Sequence, residues 1–230
     1  MLRSPRPREV LPTRYDDGMN PHLSLLETRV LGVLVEKQHT VPDSYPLTLN
    51  ALVSGSNQKN SRDPVMEASE TEVQGAIDRL KTLSLVMESS GGRVMRYAQN
   101  VGKGLAIPPQ SVALLAILFL RGPQTAGELR INSDRLHKFG DILAVEGFLN
   151  EMAERPDGAL VRELPRQPGA RETRWAHLLS GEPAVASAPA PSAAAVEADV
   201  SASELASLKA RIDSLETTVA RLCKELGIAP

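Results

Sequence analysis

Histidine, cysteine and clustered arginine are the residue types through which this chain could do chemistry, and their spacing points away from catalysis. The four histidines, His22, His39, His137 and His177, fall in four different segments. None has a Cys, Asp or Glu at the spacing of a metal site or an activated nucleophile. The nearest case is His137 with Asp141, but Gly140 interrupts the pair at a helix start, which favours a capping or solvated role. The single cysteine, Cys223, has no histidine near it in sequence, and thiolate chemistry needs such a partner. Gly91-Gly92 is too short for a phosphate loop, and no nucleotide-binding pattern occurs. The expectation is a protein that is not an enzyme and holds no cofactor or metal.

The basic residues, by contrast, gather. Lys59 and Arg62 lie in one irregular connector, Arg93 and Arg96 in one hairpin, and Arg162, Arg166, Arg171 and Arg174 in another. With a net charge of −2, a nucleic-acid site has to come from such local clustering. Hairpin arginines can grip phosphate or enter a minor groove. The candidate DNA contacts are Asn57, Gln58, Lys59, Asn60 and Arg62 in the connector, with Arg93, Arg96, Arg171 and Arg174 in the hairpins. The third helix of the second half speaks against it, while that of the first half, with Arg79 and Lys81 against Glu70, Glu72 and Asp78, is indifferent. A groove-reading helix carries Lys or Arg on its exposed face, whereas residues 141–154 hold Asp141, Glu146, Glu151 and Glu154 and no basic side chain. Two readings stay open: a dimeric DNA-binding regulator, or an adaptor whose acidic helices and coiled coil bind other proteins.

The elements that would position these residues repeat along the chain. Ser24 with Glu27, Ser69 with Glu72, and Thr125 with Glu128 are capping-box pairs, each opening a helix. The first helix covers 23–37, with Leu26, Val30, Leu31 and Leu34 on one face. Pro46 is expected in the first turn of a second helix carrying Leu49, Leu52 and Val53, and 54–65 is the connector. The third helix, 69–84, leads into a hairpin turning at Ser90-Gly91-Gly92. A second copy follows. Pro108-Pro109 opens a helix whose Leu114, Leu115, Ile117 and Leu118 match Val30, Leu31, Val33 and Leu34. The Thr125 helix is expected to continue toward Leu136. Val145, Gly147, Leu149 and Met152 match Val73, Gly75, Ile77 and Leu80, and Arg174-Trp175-Ala176 matches Arg96-Tyr97-Ala98.

Past residue 181 the composition turns to Ala, Pro and Ser, a linker that builds no core. Leu205, Leu208, Ile212, Leu215, Val219, Leu222 and Leu226 then step by three and four, a coiled-coil seam. Ile212 and Val219 at a positions, leucine at every d, and the opposite-sign pairs Glu204–Lys209 and Arg211–Glu216 favour a parallel homodimer, the other reading being a lone amphipathic helix that docks on the chain's own domains. The longest apolar run, 112–120, is too short to span a membrane. The Arg- and Pro-rich residues 1–20 lack the apolar core of a signal peptide, and one cysteine suits a reducing cytoplasm. The fold class is mainly α with small β hairpins: a disordered arm (1–20), tandem winged helix-turn-helix domains (21–104 and 105–180), a linker (181–200) and a coiled-coil helix (201–227).

The run LLETRVLGVLVEKQHTVPDSYPLTLNALVSGSNQKNSRDPVM, with RGPQTAGELR and DGALVRELPRQPGARETRWAHL, resembles the YceH-like bacterial proteins. The resemblance covers roughly residues 23–181. It implies tandem winged-helix domains and, because that family has no established biochemical activity, it implies no function.

Overall fold

A computed structural model describes residues 20–90, 94–167 and 169–182, which lie within one compact unit ending at Pro183. The elements run α1 (Leu25–Thr40), a 3-10 turn (Pro42–Ser44), α2 (Leu49–Ser56), α3 (Glu70–Thr82), β1 (Val86–Ser89) and β2 (Arg96–Gln99). They continue with α4 (Val101–Gly104), α5 (Pro109–Arg121), α6 (Ala126–Asn132), α7 (Ile142–Ala153), β3 (Val161–Leu164) and β4 (Arg174–His177). The described chain is therefore mainly helical, with two antiparallel two-stranded hairpins of winged-helix-like form.

All three capping boxes form. Ser24, Ser69 and Thr125 each accept from the backbone amide of the Glu three residues on, whose carboxylate accepts from the cap's own amide. The second helix starts later than expected. Pro46 lies outside it, because the Thr48 hydroxyl takes the N-cap position and accepts from Ala51 N at 3.3 Å. The Thr125 helix also stops short, at Asn132, where the Ser133 hydroxyl donates back to Arg130 O at 3.2 Å instead of prolonging the helix.

α1 and α5 pack against each other at the centre of the unit. Residues 27–35 of α1 and 111–120 of α5 are buried without a break, as expected of helices enclosed on all sides. The two halves consequently share one continuous hydrophobic core, reaching from Leu23 and Val30 through Leu114 and Leu118 to Val145, Met152 and Leu179. Gly32 permits the approach. A Cβ there would lie 2.8 Å from Leu120 Cγ and 3.2 Å from Phe119 Cβ.

The halves use equivalent positions. Val73, Ile77 and Leu80 of α3 are buried, as are Val145, Leu149 and Met152 of α7. Tyr97 pairs with Glu88 across its hairpin, and Trp175 pairs with Glu163. Both aromatics are buried, and each exchanges two backbone hydrogen bonds with the residue just before a helix N-cap. Tyr97 does so with Leu47 (2.8 and 3.0 Å), and Trp175 with Gln124 (2.7 and 3.1 Å).

Candidate functional site

The connector residues chosen as DNA contacts divide into structural and exposed groups. Arg62 belongs to the first and is corrected here: its side chain is 0% exposed. Nε donates to Gly55 O (3.2 Å), Nη1 to Glu36 Oε1 (3.2 Å) and Ser61 O (2.9 Å), and Nη2 to Glu36 Oε2 (2.6 Å) and Gln58 Oε1 (2.7 Å). A guanidinium has five N–H donors, so none is left for a phosphate. Asn57 is likewise committed to the fold. Its amide donates to Ala68 O and accepts from Ala68 N, both at 2.8 Å, closing the connector onto the start of α3. Gln58, Lys59 and Asn60 are exposed, although Gln58 holds Arg62.

Beneath them lies Arg29, fully buried in α1, which sequence reading passed over. It donates to Ser56 O (3.2 Å) and Pro64 O (2.7 Å). Burial first, and then the neighbouring Arg62 charge, lower its pKa from the usual arginine value, while Asp63 opposes the shift. The connector is thus folded around two inward-pointing arginines. No local signal announces this, because position 29 lies off the apolar stripe of Leu26, Val30, Leu31 and Leu34 and is buried only because α1 is enclosed on all sides from 27 to 35.

The hairpin arginines also separate. Arg93 lies outside the described residues. Arg96 donates to Ser44 O (3.3 Å) and Pro46 O (2.8 Å), tying β2 to the turn before α2. Beside it, Tyr45 Oη accepts from Gln99 N at 2.6 Å, and burial raises the Tyr45 pKa against that bond. Arg174 lies 3.9 Å from Glu128, both half-exposed, a pair of little energetic consequence. Arg171 is exposed and, with Arg166, Glu146, Ile142 and Trp175, lines a cleft of about 290 Å³ between the second hairpin and the start of α7. Among the described residues, Arg62 and Arg174 of the chosen set line one open pocket with Arg121, Asp63 and Glu128, where the Arg62 guanidinium is already fully bonded and carboxylates offset the charge.

The outer faces of α3 and α7 are acidic or apolar. On α3 the line Glu70, Thr71, Gln74, Gly75 and Asp78 faces an open groove with Leu49. Its two basic residues are occupied: Arg79 pairs with Glu27 at 3.0 Å, and Lys81 with Glu88 and Asp78. The corresponding line on α7 is Ile142, Leu143, Glu146, Gly147 and Asn150, with Leu143 74% exposed and Ile131 of α6 73% exposed. Gly75 and Gly147 hold the same place on the two helices, and a Cβ at either would meet no atom within 4 Å. Asp141 caps α7 through Ala144 N (2.8 Å), and His137 stacks edge-on against Phe139, so the two serve helix capping and packing. No group of three metal-capable side chains occurs among the described residues.

The profile of the family described as a protein of unknown function, DUF480, matches residues 23–170. The chain belongs to the DUF480 family. Similar members carry the family designation UPF0502. That of Dechloromonas aromatica is 57% identical over 202 residues, covering 88% of this chain and 93% of the relative. One from Cupriavidus taiwanensis is 58% identical over 201 residues (87% and 82%), and one from an Acidovorax species 51% over 221 residues (93% and 98%). The last alignment is too extensive to leave out the whole of the C-terminal heptad segment. Membership agrees with the resemblance read from the motifs, and among the described residues no helix is long and apolar enough to cross a membrane.

Proposed function

We propose that this DUF480 protein is a non-enzymatic interaction module. In this reading it is a duplicated winged helix whose third helices, α3 and α7, present paired surfaces to protein partners, with the C-terminal heptads joining two copies. The two exposed glycines at the same place on those helices, Gly75 and Gly147, carry the proposal. A glycine inside a helix costs roughly 1 kcal/mol relative to alanine. Gly75 and Gly147 bring that cost in equivalent, exposed positions where nothing among the described residues needs the space. A partner backbone pressed against the helix accounts for both. The exposed Ile142 and Leu143 on the same helix as Gly147, with Ile131 on α6, supply apolar area for such a contact, while Glu70, Asp78, Glu146 and Glu151 would repel phosphate.

The exposed Arg166 and Arg171, which have no ion-pair partner among the described residues, favour one other reading, in which the second hairpin grips DNA. Fluorescence anisotropy with random duplex DNA between 50 and 200 mM salt separates the two. The interaction-module reading expects no micromolar binding and a flat salt response. It also expects a protein captured from nuclease-treated lysate by the full chain to be lost with Leu143→Asp. Micromolar DNA binding that weakens steeply with salt would replace the first reading with the second.

A further inference from the structure

The outer face of α7 is an apolar and acidic helix face with nothing packed on it among the described residues. Leu143, Gly147, Asn150 and Glu151 follow one another at helical spacing, all exposed, and Glu154 continues the row as the C-cap residue. Ile142 flanks the start of the row and is 45% exposed. The described chain begins close to the other end of this helix. Asn20 Nδ2 donates to Ala159 O at 3.0 Å, and the next residue, Leu160, donates its amide to Met152 O in the last turn of α7 at 2.9 Å. Leu23 N is held by Leu179 O at 2.6 Å. The residues before Asn20 are therefore tethered beside the C-terminal end of α7.

We propose that the chain's own N-terminal segment, residues 1–14, which lie outside the described residues, docks on this face of α7. Charge is complementary. The segment holds Arg3, Arg6, Arg8 and Arg14 against Glu9, four basic less one acidic or +3, whereas residues 141–154 hold Asp141, Glu146, Glu151 and Glu154 and no basic side chain, or −4. Leu2, Val10 and Leu11 offer apolar partners for Leu143 and Ile142. Pro5, Pro7 and Pro12 favour extended chain, which rises about 3.1 Å per residue, so 14 residues reach ~40 Å and outspan the ~18 Å of a 12-residue helix. Gly147 lies mid-row and leaves room for a backbone to come close. α3 is the poorer host. It carries Arg79 and Lys81, and Arg79 donates to His22 O at 3.0 Å, which sets a like charge at the root of the segment. Single exposed ion pairs are weak, so the contact needs several together and loosens as salt rises. The docking goes beyond the interaction-module reading: it needs no other protein, and its failure leaves that reading standing.

Paramagnetic broadening of amide signals in the full chain tests the docking. Cys223→Ser removes the native thiol, and Ser4→Cys carries a nitroxide. The label is expected to broaden Gly147, Asn150 and Glu151 at least threefold more than Gln74 and Gly75 of α3, and the difference should fade as salt is raised from about 0.05 to about 0.5 M. Glu151→Lys with Glu154→Lys, both at exposed positions, should abolish the effect, and adding Arg6→Glu with Arg8→Glu should restore it. Absent broadening, broadening spread evenly over the surface or centred on α3, or an effect that survives the charge reversal would each overturn the assignment. So would broadening seen only when nitroxide and isotope sit on different chains, which would assign the face to the segment of a second copy.

Discussion

Glu36 of α1 grips Arg62 of the connector with both carboxylate oxygens, Oε1 at 3.2 Å from Nη1 and Oε2 at 2.6 Å from Nη2. The arginine is buried and the glutamate nearly so, and three further acceptors complete the guanidinium. Removing one partner of such a pair strands the other, at about 3–5 kcal/mol. Arg62→Ala is therefore expected to lower unfolding stability by about that amount in a urea titration. Arg62→Lys should recover little, because an ammonium offers three donors on a point charge where five in a plane are used. A lysine variant as stable as the parent would show that the plane is unimportant.

His177 makes stability depend on pH. Its pKa is about 4 in the folded protein, against the ordinary histidine value of 6.5. The unfolded chain then binds more protons between these values, so stability is fully present above pH 6.5 and falls as the pH drops toward 4. At about 1.4 kcal/mol per unit, the loss from this residue is at most ~3 kcal/mol. Carboxylates titrate across the same range, so the measurement is a difference. His177→Phe should flatten the slope between those two pH values relative to the parent, and an unchanged slope would mean that the ring is solvated.

Much of this fold was legible because its signals are local. A capping box lies within four residues, and all three were readable as written. The register shared by Val73, Ile77 and Leu80 with Val145, Leu149 and Met152 was readable because burial follows helical periodicity. Thr48 was missed because Pro46, two residues earlier, is an equally good helix starter, and only the hydrogen bond to Ala51 N decides between them. Arg62 was misjudged for a different reason. An arginine in a polar connector looks solvated, and its acceptor Glu36 is 26 residues away in sequence.

The C-terminal heptads, Leu205, Leu208, Ile212, Leu215, Val219, Leu222 and Leu226, lie outside the described residues, and their pairing is a prediction from pattern. Light scattering should give a dimer for the full chain at tens of micromolar and a lower mass when residues after 183 are removed, a cut that leaves the compact unit whole. A parallel, in-register pair brings Cys223 beside its symmetry mate, so mild oxidation should cross-link it. A full-length monomer, or a dimer unaffected by the cut, counts against the seam.

The helix glycines yield opposed predictions for one substitution. At Gly32 an alanine Cβ would come within 3 Å of Leu120 Cγ, and also crowd Phe119 Cβ, in the contact between α1 and α5. Neither atom is the free end of a side chain, so the helices must separate. Overpacking of this kind costs about 1–3 kcal/mol, which outweighs or cancels the helix-propensity gain of about 1 kcal/mol from removing glycine. At Gly75 and Gly147 nothing opposes that gain, since no atom lies within 4 Å of the added Cβ. Gly32→Ala is thus expected to be neutral to destabilising by up to ~2 kcal/mol, and Gly75→Ala and Gly147→Ala to stabilise by about 0.5–1 kcal/mol each, in the same urea titration. The last two should nonetheless weaken capture of a partner by α3 and α7. Stabilised variants that still bind as the parent does would leave the two exposed glycines without a purpose in recognition.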